Sequence, residues 1–365
     1  MIYQEVYISY IVIFITCIFF SYFLFSSIIL KYDFFKKISS YKTTQDRWGD
    51  SNKPHLGGLA LSICAILCCL VVILNNTFVI GEITIEYKSF IGLFFVILLS
   101  TAIGLVDEKE NIQPFTKTIL QLILVSILLW AGFIIPLSSF FYLNIIFSLL
   151  WLIFFINATN MFDNVDLSLG IFSITSLTTL FIVNYINSGS INISFLILTY
   201  IACIIPFLIF NKYPSKLFMG DIGSLQLGSI IGALSIKIFW NDFIYNNFLE
   251  LMFSLIINNL IFLLIFLDVA IVVFVRVKNN KNPFKGDTNH FAHMSIAYFK
   301  SPHLSEVFIF SLMLSNMLFF FFIRIHSNLN LIDSSIILTL YCLLYIYLVF
   351  TVYRKGQNNI LIKEI

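Results

Sequence analysis

NKYPSKLFMGDIGSLQLG, Asn211 to Gly228, is a short polar interruption between two long apolar runs. Its one acid, Asp221, stands between Gly220 and Gly223 where a new apolar run begins. A carboxylate at a membrane boundary is costly unless a cation or another partner meets it, which makes Asp221 a functional-site candidate. The flanking glycines let the backbone turn tightly and let a bulky anion or a metal approach. The plainer reading is a solvated loop acid at the start of the next helix, so the rest of the chain has to decide.

Composition sets the class. The 365 residues are 59% hydrophobic and 11% charged, with a mean hydropathy of +0.97; a globular domain carries about a quarter charged residues. The expected fold class is therefore all-α, a polytopic helical bundle in a lipid bilayer. A net charge of +2, spread over the breaks and not in one basic stripe, is too small to imply a nucleic-acid partner, and none is expected. The six cysteines, Cys17, Cys64, Cys68, Cys69, Cys203 and Cys342, all fall inside apolar runs. They lack the paired spacing of a zinc site and the loop placement of a disulfide framework, so they are expected to pack.

Crossing a bilayer as helix takes roughly 17 to 25 apolar residues. Such runs fall at 6–30, 56–74, 89–106, 118–135, 143–156, 167–186, 193–210, 222–240, 249–275, 304–323 and 334–353, which predicts eleven spans, or ten if one fails. The first run has neither a basic stretch before it nor a cleavage site after it, so it is expected to be retained. The chain reads as one multi-pass domain over 1–365, with a short cytoplasmic tail at 354–365. With the N-terminus outside, all but Lys88, Lys237 and Arg324 of the 21 lysines and arginines lie on the inner side. The positive-inside rule favours that orientation.

In consequence the breaks at 31–55, 107–117, 157–166, 211–221 and 276–303 all face the cytoplasm, and they hold nearly all the chemically capable residues. Lys53 and His55, before Gly57-Gly58, can meet an anionic headgroup or phosphate, while Lys36, Lys37, Lys42 and Arg47 read equally as a basic loop on acidic lipid. Asp107-Glu108 are adjacent carboxylates, a pair that suits Mg2+. Lys117 and Gln121 share one helix face. Asn157 with Asn160, and Asp163 with Asp166, recur at i, i+3 after WLIFFI, where packing does not explain them. His290 and His293 can share one side of a short helix as phosphate donors, metal ligands or proton carriers. Asp268, inside the ninth run, needs a partner, structural or catalytic.

Together these breaks resemble the polyprenyl-phosphate N-acetylhexosamine-1-phosphate transferases of glycosyltransferase family 4 type. PHLGGLA from Pro54, GLVDE, NATNMFD, FMGDIGS and PFKGDTNHFAH follow in family order, with FMGDIGS and its upstream Asn211 the most specific. The resemblance implies transfer of a sugar 1-phosphate from a UDP-N-acetylhexosamine to undecaprenyl phosphate, releasing UMP, at the cytoplasmic face of a bacterial inner membrane. It implies Mg2+, or Mn2+ in its place, on Asp221 and Asp107. Asp107, Glu108, Lys117, Asp163, Asp166, His290 and His293 would be catalytic, and Lys53, His55, Asn157, Asn160 and Asn211 would bind substrate. The form of the last break is closer to the UDP-GlcNAc branch, which starts O-antigen and other surface glycans, than to the peptidoglycan branch.

The chain departs from the family pattern at Glu108 (usually Asp), Asn164 and Leu167 (glycines), Thr288 (a basic residue) and Ala292 (a histidine). A catalytically impaired paralogue and a transporter of an anionic solute stay open at this point, as does a homodimer. Clean apolar spans with polar groups only at one end argue against transport, which favours polar groups near the midplane.

Overall fold

The computed structural model describes residues 2–31, 53–77, 85–110, 112–240, 248–280, 289–325 and 331–364. The basic stretch with Lys36, Lys37, Lys42 and Arg47, and the PFKGDT segment ending in Thr288, lie outside the described residues. The described chain is helical: α1 (Ile2–Lys31), α2 (Gly57–Thr77), α3 (Ile85–Glu110), α4 (Pro114–Trp130), α5 (Phe141–Phe162), α6 (Ser168–Ile186), α7 (Ile191–Asn211), α8 (Gly220–Ser235, continued by a π turn to Trp240), α9 (Phe248–Leu260), α10 (Leu263–Lys278), α11 (Phe291–Phe299), α12 (Pro302–Ile325) and α13 (Leu331–Glu364). Among the described residues, nine helices are long and apolar enough to cross a membrane, and the pair α9–α10 makes a tenth if counted as one span. The chain is a multi-pass membrane protein.

Helix is the form in which a single segment satisfies its own backbone in hydrocarbon. Hydroxyls in the spans follow suit: Ser62 donates to Gly58 O, Thr101 to Ile97 O and Thr175 to Ile171 O. Helix starts are set locally. Pro114 opens α4, and Ser190 caps α7 by accepting from Ile193 N at 3.3 Å.

Two expected spans take a different form. The ninth run is broken, α9 and α10 meeting at 91°. Asn258 and Asn259 lie at the break; Asn258 Nδ2 donates to Phe239 O at 3.2 Å and Asn259 Nδ2 to Leu255 O at 2.6 Å. The fourth run yields the 17-residue α4, below the length of the other crossing helices. Four of the six cysteines, Cys64, Cys68, Cys69 and Cys203, are buried on α2 and α7, whereas Cys342 is half-buried and Cys17 exposed.

The core is organised around α8, 94% of whose span is buried, against 22% for α1 and α13. It packs on α2, α3, α5 and α6. A hydrogen-bonded chain fastens it at mid-depth: Thr101 Oγ1 to Ser62 Oγ at 2.8 Å, Ser62 Oγ to Gln226 Oε1 at 2.6 Å, and Gln226 Nε2 to the Tyr200 hydroxyl at 2.7 Å. Close packing does the rest. A Cβ on Gly228 would stand 2.7 Å from both Ile156 Cα and Phe155 O, so α5 and α8 touch through backbone there.

That contact is testable. Gly228→Leu should cost about 1–3 kcal/mol as overpacking and lower the melting temperature of the purified protein. Gly232→Ala, whose Cβ would meet Phe155 Cβ at 3.1 Å, should lower it much less. Equal shifts for the two variants would contradict the crossing.

Candidate active site

Four breaks in the helical pattern meet at one end of the bundle, and backbone hydrogen bonds lace two of them together. Gly57 N donates to Phe218 O and Gly58 N to Met219 O, both at 2.9 Å, while Phe218 N donates to Pro54 O at 3.0 Å. This fixes the turn into α8, where Gly220 takes a φ of +72° against the His55 carbonyl.

Asp221 then sits in the first turn of α8, at the positive end of the helix dipole. Its Oδ1 accepts from Asn160 Nδ2 at 2.7 Å and its Oδ2 from Lys117 Nζ at 3.1 Å. The same Lys117 ammonium donates to Asp107 Oδ2 at 2.8 Å and reaches Asn160 Oδ1 at 3.5 Å. Asp107 Oδ1 accepts from Ile112 N, which orients it. Glu108 Oε1 accepts from Asp221 N at 3.0 Å, and its Oε2 lies 4.0 Å from His55 Nδ1. All three carboxylates are buried, whereas the Lys117 side chain keeps 19% of its surface exposed. Lys117 is thus the most exposed of the charged side chains in the cluster.

Asp107, Glu108, Lys117, Asn160, Asp221 and His55 are therefore brought together from four breaks. Lys53 lies nearby, its Nζ 5.8 Å from the Phe218 ring centroid. Asn157 is tied up otherwise: its Oδ1 accepts from Gln121 and its Nδ2 donates to Ile153 O. Asn211, expected to bind substrate, acts in the structure as a brace. Its Oδ1 accepts from Leu167 N at 2.7 Å and its Nδ2 donates to Leu217 O at 2.8 Å, so both polar atoms of its buried amide go to backbone. The brace has a reason, because Leu167 stands at φ +65° where the family pattern has glycine. A left-handed leucine costs roughly 1–2 kcal/mol, offset here by the Asn211 bond. Asp163 caps α5 and is buried, and Asp166 Oδ2 accepts from Ser215 N at 3.2 Å.

His290 and His293 belong to a second cluster, built on α10 and α11. Asp268 Oδ2 lies 2.9 Å from His290 Nδ1, and its Oδ1 accepts from Phe291 N at 2.6 Å. Asp268 thereby orients His290 and caps α11 from a neighbouring helix, which supplies the partner its depth in the membrane demands. His293 and Arg276 are buried beside it. Sequence reasoning missed Asp268 as a cap, Ser224, whose Oγ accepts from Asn160 Nδ2 at 2.9 Å, and Phe218, whose ring lies 5.0 Å from that of His55. Ser224 and Phe218 both sit inside FMGDIGS, and that adjacency was the available signal.

Among the described residues, no group of three or more His, Cys, Asp and Glu side chains is arranged as a ready-made metal site. The donors do suit a hard cation. Asp107 and Asp221 present oxygen alone and already face a common cationic group, the Lys117 ammonium. Mg2+ is held typically by one or two carboxylates plus substrate phosphate oxygens, so two carboxylates suffice.

The profile of glycosyl transferase family 4 matches residues 90–239, which include Asp107, Lys117, Asn160 and Asp221. The chain is 29% identical over 227 residues to a phospho-N-acetylmuramoyl-pentapeptide-transferase of Streptococcus thermophilus (strain CNRZ 1066), covering 56% of this chain and 65% of the relative. It is 30% identical over 232 residues to the protein of that name from Streptococcus agalactiae serotype Ia, covering 57% and 67%. The match thus spans about two thirds of the length of these curated relatives. With the profile matching 90–239, and a relative 30% identical over 67% of its own length, the chain belongs to glycosyl transferase family 4.

Proposed function

We propose that the protein transfers N-acetylhexosamine 1-phosphate from a UDP-sugar to undecaprenyl phosphate and releases UMP, at the cytoplasmic face of a bacterial inner membrane. The observation that carries this reading is the Lys117 ammonium held between Asp107 and Asp221, with Asn160 completing the cluster. Residues 104 positions apart in sequence converge on a cation that a phosphate can reach. The one-sided distribution of lysine and arginine supports the orientation. The UDP-GlcNAc type of donor is favoured by the PFKGD…NHFAH form of the last break.

In the transfer, an oxygen of the lipid phosphate attacks the sugar-bearing phosphorus of the donor. The diphosphate P–O bond breaks and its electron pair leaves on UMP. A phosphate dianion is already nucleophilic, so no carboxylate has to take a proton, and direct attack is the simpler course. Asp221 and Asp107 would hold Mg2+, or Mn2+ in its place, which would neutralise the diphosphate charge. Lys117 contributes a further cation, positioned before substrate arrives by both carboxylates, so little reorganisation is needed at the moment of reaction. Asn160 fixes the rotamer of Asp221 from α5. His55 and Lys53 flank the entrance over Phe218, where an anionic headgroup meets them. His290, at the N-cap of α11, and His293 present donors to phosphate beside the positive end of a helix. Asp163 and Asp166 hold the loop that faces the nucleotide.

The test is purified protein with undecaprenyl phosphate, Mg2+ and a panel of radiolabelled UDP-sugars that includes UDP-GlcNAc and UDP-N-acetylmuramoyl-pentapeptide, following UMP and lipid-linked product. UDP-GlcNAc should be consumed. Vesicle uptake without UMP release would favour transport instead. Asp221→Ala and Lys117→Met should each lower kcat by about 100-fold or more, the size of a lost electrostatic contribution, and full activity in Asp221→Ala would sink the metal assignment. Asn211→Ala should behave differently. It leaves the Leu167 N–H and the Leu217 carbonyl to find other partners, which costs about 1–3 kcal/mol, so its melting temperature should fall along with its activity. A fully stable, inactive Asn211→Ala would show that the amide meets substrate after all.

A further inference from the structure

Past Tyr353 the chain reads RKGQNNILIKE, polar enough to pass for a solvated tail. Its spacing is that of a docked helix. Val349, Val352, Tyr353 and Gly356 are buried and Ile360 packs on the core, a stripe at intervals of three and four residues. α13 has 34 residues, about 50 Å at 1.5 Å per residue, against a hydrocarbon thickness of about 30 Å. The helix is thus longer than a crossing requires, and its end lies along α11.

The contact is close. A Cβ on Gly356 would stand 2.7 Å from the Met294 carbonyl carbon and 3.0 Å from its Cα, so only glycine lets the two backbones meet. Three residues on, Asn359 Nδ2 donates to Ala297 O at 3.0 Å, and Lys355 Nζ lies 5.9 Å from the Tyr298 ring centroid. α11 needs such support. Its nine residues are too few to hold a helix unaided. Asp268 fixes its first turn, the Ser295 hydroxyl meets that of Ser305 on α12, and α13 braces its middle and end.

We infer that the end of α13 is a positioning element for His290 and His293, with Gly356 and Asn359 as the residues that set α11 in place. This rests on the proposed phosphate-binding role of the two histidines. Neither Gly356 nor Asn359 touches substrate; each acts through the α11 backbone.

The test uses full-length Gly356→Leu and Asn359→Ala. Amide hydrogen exchange over 291–299 should rise about tenfold while α10 and α12 stay protected. The kcat/KM for the UDP-sugar should fall about tenfold with KM for undecaprenyl phosphate unchanged, and Gly356→Leu should cost nothing further in a background carrying both His290→Ala and His293→Ala. Unchanged exchange overturns the docking. Raised exchange with wild-type kinetics, or a full additional loss in that double background, overturns the positioning role. A wild-type protein that transfers no sugar phosphate counts against the transfer reading, and the exchange measurement then decides the docking alone.

Discussion

A lysine held between two buried carboxylates is the constraint on which the polar end of this bundle depends. Asp107 and Asp221 end or begin spans whose neighbours are almost wholly apolar, and each would be costly there alone. Lys117 Nζ, within 3.1 Å of both, balances them and in doing so fixes three helix ends to one another. The ammonium could not have reached both acids unless α3, α4 and α8 met at this depth. The small-residue face of α8 and the Ser62–Gln226–Tyr200 chain serve that requirement, because they set where the first turn of α8 stands.

The cluster also accounts for the one-sidedness of the chain. Polar side chains at the opposite end also pair: Asn184 Nδ2 donates to Ser190 O, Ser89 Oγ to Ala131 O, and Arg324 Nη2 to Asn187 Oδ1, the last across 137 residues. Each of these bonds ends on a backbone carbonyl or a neutral amide. At the other end two buried carboxylates share one ammonium. Sequence distance alone does not separate a helix end from a site; the gathering of charge on one group does.

Most of the fold was legible because hydrocarbon leaves so few solutions. The runs at 56–74, 193–210 and 222–240 became α2, α7 and α8 with shifts of a few residues. What escaped was tertiary. The break between α9 and α10 follows from Asn258 finding the Phe239 carbonyl on another element, and no periodicity within 249–275 reports a partner outside it. The helical course of 354–364 was hidden similarly, since its stripe has a glycine where an apolar side chain would announce it. In the site, Asp107, Lys117, Asn160 and Asp221 were legible as polar groups where polarity is expensive. Asn211 and Asp268 were legible as important but not as braces. Their roles are hydrogen bonds to backbone, and sequence does not say which backbone will come near.

Glu108 shows how a departure from the family pattern can be accommodated without losing the site. Where the pattern has a second aspartate, this chain has a carboxylate one methylene longer, and that carboxylate accepts the Asp221 N–H at 3.0 Å. Met219, the residue that precedes α8, makes no side-chain cap, and its thioether could not act as one. Glu108 therefore supplies from α3 the cap that α8 lacks, placing a negative charge at the positive end of its dipole. An aspartate at 108 would end about one bond short of that N–H. The longer side chain thus lets Glu108 support Asp221, while Asp107 and Asp221 keep their hold on the Lys117 ammonium. By the same logic the left-handed Leu167 is tolerable only with Asn211 beneath it. In each case the altered residue is matched by a contact from a distant element, as expected of a site still required to hold its geometry.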